Sequence, residues 1–135
     1  MAKGEDVCNM LKSLKLSHFL IRIGLAAVFL WFGIDKFFHP IYWINAWIPK
    51  WLIQNASYFK INEISLVYLF GVFEILVGVS LVSGVFMRFF YFLAIVFLVS
   101  ISIIYGFNEV IIRDLGLIGG FLSLLFWPSK NRGVY

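Results

Sequence analysis

Among the charged residues within or at the ends of this chain's apolar runs are five that stand out: Asp35, Lys36, Glu74, Arg113 and Asp114. Their types suit acid–base chemistry on a ligand oxygen. A lysine or arginine can polarise such an oxygen, and a nearby carboxylate can accept or donate the accompanying proton. Glu74 is the most demanding of the five, because it stands near the centre of Ile64 to Gly84, a stretch otherwise almost wholly apolar. An ionised group at the middle of a lipid-exposed helix costs at least ~2.5 kcal/mol, so it must face a partner or a cavity. Asp35-Lys36 and Arg113-Asp114, at the ends of two other runs, are the obvious candidates.

The elements that must position these groups follow from composition. The chain has 135 residues, 62% of them hydrophobic and only 13% charged, which is far from a soluble domain of this length and places it in a membrane. Four apolar runs are marked at about 18–38, 64–84, 89–106 and 109–127. Each approaches the roughly 20 residues that a helix needs to cross a bilayer. The expected fold is therefore all-α: a single integral membrane domain over residues 1–135, built as a bundle of four transmembrane helices. The first run is too long for a secretory signal and ends in Gly33-Ile34-Asp35-Lys36 without a small-x-small cleavage pattern, so it reads as a retained helix.

The flanking charges set the expected orientation. Lys3, Lys12, Lys15, Arg88, Lys130 and Arg132 gather on the side of the termini, against Lys36, Lys50, Lys60 and Arg113 opposite. The positive-inside rule puts both termini in the cytoplasm, as expected of a multi-pass protein of the cell (inner) membrane. These flanks explain the net charge of +4 and leave no soluble basic surface for nucleic acid.

Helical periodicity tests which charges face inward. Arg22, Ala26, Phe29, Gly33 and Lys36 fall in one sector of the first span, and Gly71, Glu74 and Gly78 in one sector of the second. Arg113, Gly116, Gly120, Ser123 and Trp127 do so on the fourth. Small residues allow transmembrane helices to approach closely, so a glycine-lined stripe marks a helix-facing one. Lys36, Glu74 and Arg113 are thus expected to point into the outer half of one bundle. Cβ atoms lean towards a helix N-terminus, which brings Glu74 and Lys36 together in depth but tilts Arg113 away from Glu74, with Asp114 or water as the bridge.

Asp35 and Asp114 lie about 100° round their helices from their basic neighbours, so neither adjacent pair is assumed to bond within itself. Two positive and three negative charges in the set leave either one carboxyl protonated or Arg22 compensating from further in. The candidate ligand or proton site is therefore Lys36, Glu74, Arg113 and Asp114, supported by Arg22 and Asp35. Trp31, Tyr68 and Tyr105 are the possible aromatic walls. No metal site is expected, since His18 and His39 lack a cysteine or second histidine at ligand spacing. The single cysteine, Cys8, rules out dithiol chemistry within the subunit, so another molecule must carry any electrons.

Between the first two spans, Trp43, Trp47 and Trp51 recur at helical spacing, interrupted by Pro49. This Trp-rich segment, about 41–55, reads either as a lid over an outward-facing pocket or as an interfacial segment with its indoles at headgroup level.

At these residues the chain resembles the DoxX family of small four-helix membrane proteins. The resemblance lies in an early arginine (Arg22) followed by Phe29, Gly33 and Lys36, in Glu74 with Gly78, Gly84 and Arg88, and in the Arg113-Asp114-Leu115 opening of a glycine-rich last helix. It runs from about Arg22 to Phe126. It implies a four-helix bundle with a loose association with redox chemistry, since some relatives look like subunits of thiosulfate:quinone oxidoreductase. The expected function is a quinone-linked or redox-associated membrane subunit, with no intrinsic cofactor, a quinone as ligand, and a redox subunit or a second copy as partner within the lipid bilayer. Whether it is itself an enzyme stays open. The alternative is a non-catalytic scaffold or assembly partner whose ion network only holds the bundle. Transport is disfavoured, because no continuous polar row joins Arg22 and Arg88 to the outer charges.

Overall fold

The structure is a computed structural model that describes residues 2–106 and 109–127, without the side chains of Ala2, Tyr105 and Val110. The described residues form six α-helices: α1 (Ala2–Phe38), α2 (Pro40–Trp47), α3 (Lys50–Tyr58), α4 (Glu63–Ser83), α5 (Met87–Tyr105) and α6 (Glu109–Leu125). Three of them contain segments long and apolar enough to cross a membrane, namely Lys3–Phe38, Glu63–Ser83 and Met87–Ile104. The fold is all-helical, as apolar surroundings demand of a chain that must satisfy its backbone internally.

α1 extends well beyond the expected span. Its 37 residues amount to about 55 Å of helix, and the segment carrying Lys3, Lys12 and Lys15 is helical too. No proline interrupts the sequence before Pro40, so nothing stops the helix earlier. It stops at Phe38 because His39 precedes a proline and leaves the helical region, with φ −128° and ψ 55°. The break is slight. The His39 amide still donates to the Asp35 carbonyl at 2.8 Å, and the Trp43 amide reaches the His39 carbonyl at 3.4 Å. α2 ends for the same reason, at an extended Ile48 before Pro49. α3 closes in a Schellman arrangement, in which Lys60 at φ 58° donates to Ser57 and Ile61 donates to Ala56.

Two compact units are distinguished, and α1 contributes to both. The first, Ala26–Ser83, comprises the later part of α1 with α2, α3 and α4. Here α1 and α4 meet backbone to backbone. A Cβ on Gly33 would stand 3.0 Å from the Gly71 carbonyl oxygen, and one on Gly71 would stand 3.0 Å from that of Gly33. Gly78 faces Leu30 as tightly. α2 and α3 both pack on α4.

The second unit, Met1–Leu25 with Gly84–Tyr135, contains the start of α1 and the α5–α6 pair. In its core Tyr91 packs on Phe121 with ring centroids 5.9 Å apart, and Gly120 lies against Leu25. Gly84, at φ 80°, ends α4 in a left-handed turn that a side chain resists, and it lies beside the Arg22 guanidinium. Phe107 and Asn108, between α5 and α6, lie outside the described residues, as do Lys130 and Arg132.

Candidate functional site

In the first unit, the stripes that face each other on α1 and α4 carry the deep charges. Ala26, Phe29, Gly33 and Lys36 are buried on α1, and Gly71, Glu74 and Gly78 on α4. Side-chain lean completes the meeting. Lys36 Nζ donates to Glu74 Oε2 at 2.6 Å, with the two residues 7% and 8% exposed. This is a buried ion pair, whose electrostatics are strengthened by the low polarity around it and whose desolvation makes either charge expensive alone.

Two further contacts of the ammonium are described. Its Nζ lies 3.5 Å from the Phe32 carbonyl, one turn earlier on α1, and 3.9 Å from the centroid of the Trp43 indole on α2. The second is a cation–π contact, with the charge over the electron-rich ring face. Trp43 is thus the third side of the Lys36 environment.

Asp35 does not serve Lys36 through any hydrogen bond the structure records. Its Oδ2 accepts from Trp43 Nε1 at 2.9 Å, and its Oδ1 shares a hydrogen bond with His39 Nδ1 at 3.0 Å. The near-continuity of α1 into α2 explains this, since Asp35, His39 and Trp43 stand at i, i+4 and i+8 and line up along one face despite the break. Phe32 packs on Trp43 at a right angle with centroids 5.8 Å apart, and Trp47 adjoins it at 6.2 Å.

In the second unit, the charges at the start of α6 behave differently from expectation. Arg113 was expected on a buried stripe with Gly116, Gly120 and Ser123. Instead α6 buries Ile111, Asp114, Phe121 and Leu124, while Arg113, Gly116 and Ser123 are exposed. The reason lies in the glycines. Nothing stands within 4 Å of a Cβ on Gly116, so this part of the stripe is not a close approach at all. The charge that faces inward is Asp114, only 1% exposed. Arg113 curls back to it, donating from Nε at 3.1 Å and Nη2 at 3.0 Å to the same Oδ1. The adjacent pair does bond within itself, because a guanidinium on a long flexible stem spans the 100° that separates their Cβ directions.

Of the other expected residues, Arg22 belongs to the second unit, where it acts electrostatically on His18 and Tyr91. Trp31 is 71% exposed and does not line the Lys36–Glu74 pair. Tyr68 stacks on Phe37 at 5.0 Å. The Tyr105 side chain lies outside the described residues. Sequence reasoning missed the joint role of Trp43 and His39. The available signal was the i, i+4, i+8 series that begins at Asp35 and runs through the proline.

A buried lysine–glutamate pair on two apolar helices, covered by an aromatic side chain from a short third helix, defines a small helical membrane protein with a charged site among its helices. A family model described as DoxX matches residues 17–106, and the chain belongs to the DoxX family. The matched stretch includes Arg22, Lys36, Glu74 and Arg88 and ends before α6. No curated protein and no solved structure matches the chain.

Proposed function

We propose that this protein is a quinone-linked or redox-associated subunit of the inner membrane, in which Lys36 and Glu74 bind and protonate a ligand oxygen. The observation that carries the reading is the buried 2.6 Å ion pair, placed within apolar helices of a DoxX chain. A buried pair between α1 and α4 is harder to justify as packing than as a site, because an apolar pair of similar volume is often as stable.

The residues present suit a quinone. Its oxygen is a hydrogen-bond acceptor for the Lys36 ammonium, and its flat ring matches a position already filled by an aromatic face. When bound, such a ligand carries the electrons. Lys36 orients and polarises its oxygen, Glu74 Oε2 holds the exchangeable proton beside Lys36 Nζ, and the surrounding apolar side chains exclude water. The exposed Arg113 and buried Asp114 form a further charged pair that the same reading assigns to the extracytoplasmic side.

The architecture proposed with this function is a bundle of four spans with both termini cytoplasmic. α6 supports the fourth span, being an apolar helix of 17 described residues whose run continues through Phe126 and Trp127. The α2–α3 segment lies across the outer face, where exposed Tyr42, Trp51 and Tyr58 meet headgroups. The test is to purify the protein from its native membranes and extract bound quinone. Quinone in the native protein and its loss in Glu74→Gln and Lys36→Met supports the reading, and ligand-free protein with unchanged variants overturns it.

One observation favours a second reading. Lys36 already has Glu74, the Phe32 carbonyl and Trp43 as partners, as an ion pair used only to fix helix packing requires. In that case the protein is a scaffold or assembly partner, and the single variants lose stability without any ligand being involved.

A further inference from the structure

We propose that Trp43 is the door of the Lys36–Glu74 site: a flat ring bearing a carbonyl oxygen enters by displacing the indole and presents its oxygen to the ammonium in place of the ring face. The inference rests on the ligand-binding reading above and names how that site is opened.

Three of the contacts of the Lys36 ammonium stand on different footings. The Phe32 carbonyl belongs to the same helix one turn away, and Glu74 belongs to α4. Neither can withdraw. α1 and α4 are locked backbone to backbone where Gly33 meets Gly71, immediately beside the pair. Trp43 is held differently. It stands on α2, an eight-residue helix with no buried residue, bounded by non-helical His39 on one side and by Ile48 and Pro49 on the other. α2 packs on α4, and the dihedral change that swings it falls at its two ends, the slight break at His39 and the extended Ile48.

What holds it in place is the other side of the same indole. Trp43 Nε1 donates to Asp35 Oδ2 at 2.9 Å, and Asp35 is steadied at Oδ1 by His39. The indole is therefore fixed at two points, its face on Lys36 and its N–H on Asp35. When it leaves, a dry ammonium loses an electrostatic partner and needs an acceptor in its place. A carbonyl oxygen supplies that acceptor, and a planar ring fills the volume of the indole. Phe32, which packs at right angles to Trp43 from α1, stays behind to meet the incoming ring.

Trp43→Phe separates the two attachments without changing any charge, since it keeps an aromatic face for Lys36 and removes the N–H that binds Asp35. Trp43→Leu removes both. The full chain is reconstituted in lipid nanodiscs, and two quantities are read in each form. The first is the rate at which a small amine-acylating reagent modifies Lys36, followed by mass spectrometry with exposed Lys50 as the internal reference. The second is the affinity of a short-chain benzoquinone and its protection of Lys36 from acylation.

A hydrogen bond to a charged group is worth about tenfold in an equilibrium at the lower end of its range. Releasing it raises the open population, and the apparent affinity of a ligand that needs the open form rises by the same factor. Trp43→Phe is therefore expected to acylate at Lys36 and to bind benzoquinone about tenfold more readily than the native chain, with Lys50 unchanged. Equal Lys36 acylation in the native, Trp43→Phe and Trp43→Leu proteins overturns the door, even if benzoquinone binds all three. Faster acylation in both variants with no protection by benzoquinone keeps the door and overturns the quinone reading instead.

Discussion

The central expectation concerns the energetic coupling of Lys36 and Glu74. Replacing either residue by Met leaves a charge in a site where its partner was 2.6 Å away and both residues were less than a tenth exposed. Stranding one member of such a pair costs about 3–5 kcal/mol. Glu74→Met falls near the lower end, because Lys36 retains the Phe32 carbonyl and the Trp43 face. The double variant removes both charges and replaces them with side chains of similar volume, so it is expected within about 1 kcal/mol of the native protein, or more stable than it. The coupling energy is then about 5 kcal/mol or more, well beyond the ~0.5 kcal/mol scatter of independent sites. The exchange Lys36→Glu with Glu74→Lys restores the ion pair but moves the ammonium away from Trp43, and it should fall short of the native protein by about 0.5–2 kcal/mol. Reversible unfolding in mixed detergent, followed by circular dichroism, measures all five proteins. Additive single and double effects would refute the reasoning, because they would mean that the two charges do not need each other.

Three further outcomes follow from packing and are read by the same unfolding measurement. Gly71→Ala puts a methyl 3.0 Å from the Gly33 carbonyl oxygen, a backbone atom that cannot step aside, and is expected to cost about 1–3 kcal/mol, whereas Gly116→Ala meets nothing within 4 Å and is expected to change stability by less than about 0.5 kcal/mol. Phe121→Ala, at a fully buried position against Tyr91, is expected to cost about 3–5 kcal/mol. Arg113→Gln takes away both hydrogen bonds to buried Asp114 Oδ1 and is expected to cost about 1–3 kcal/mol, with Arg113→Lys recovering only part because an ammonium lacks the two-pronged donor.

How far the sequence carries depends on which physical rule is at work. The Lys36–Glu74 meeting was legible because two rules agreed: the charges shared their stripes with glycines, and opposite Cβ leans converged in depth. On α6 the same glycine rule misled. A glycine on a helix permits close approach but does not require it, and Gly116 has open space where Gly33 and Gly71 have each other's carbonyls. Asp114 was within reach of the argument, since it stands in register with buried Ile111 and Phe121 at spacings of three and seven. The Asp35–Trp43 contact was hidden for another reason. Proline normally ends the register of a helix, and only the dihedral angles of His39 determine that side chains on either side of this one still align.

On the quinone reading, Lys36 and Glu74 handle the protons and the electrons travel separately. The pair is neutral as a whole, so passing a proton across its 2.6 Å separation leaves no net charge in the apolar interior. The chain's own side chains include no pair of thiols for two-electron transfer. Its single thiol, Cys8, is exposed on the N-terminal part of α1 and cannot form a disulfide within one subunit. If the quinone reading holds, the electrons come from a partner with a flavin, a metal centre or a dithiol pair. Intact-complex mass spectrometry from native membranes is then expected to show a stoichiometric partner of that chemistry together with bound quinone. A protein recovered alone or only as copies of itself, free of quinone and with the Lys36 and Glu74 variants destabilised, assigns the ion pair to packing and makes the scaffold reading the correct one.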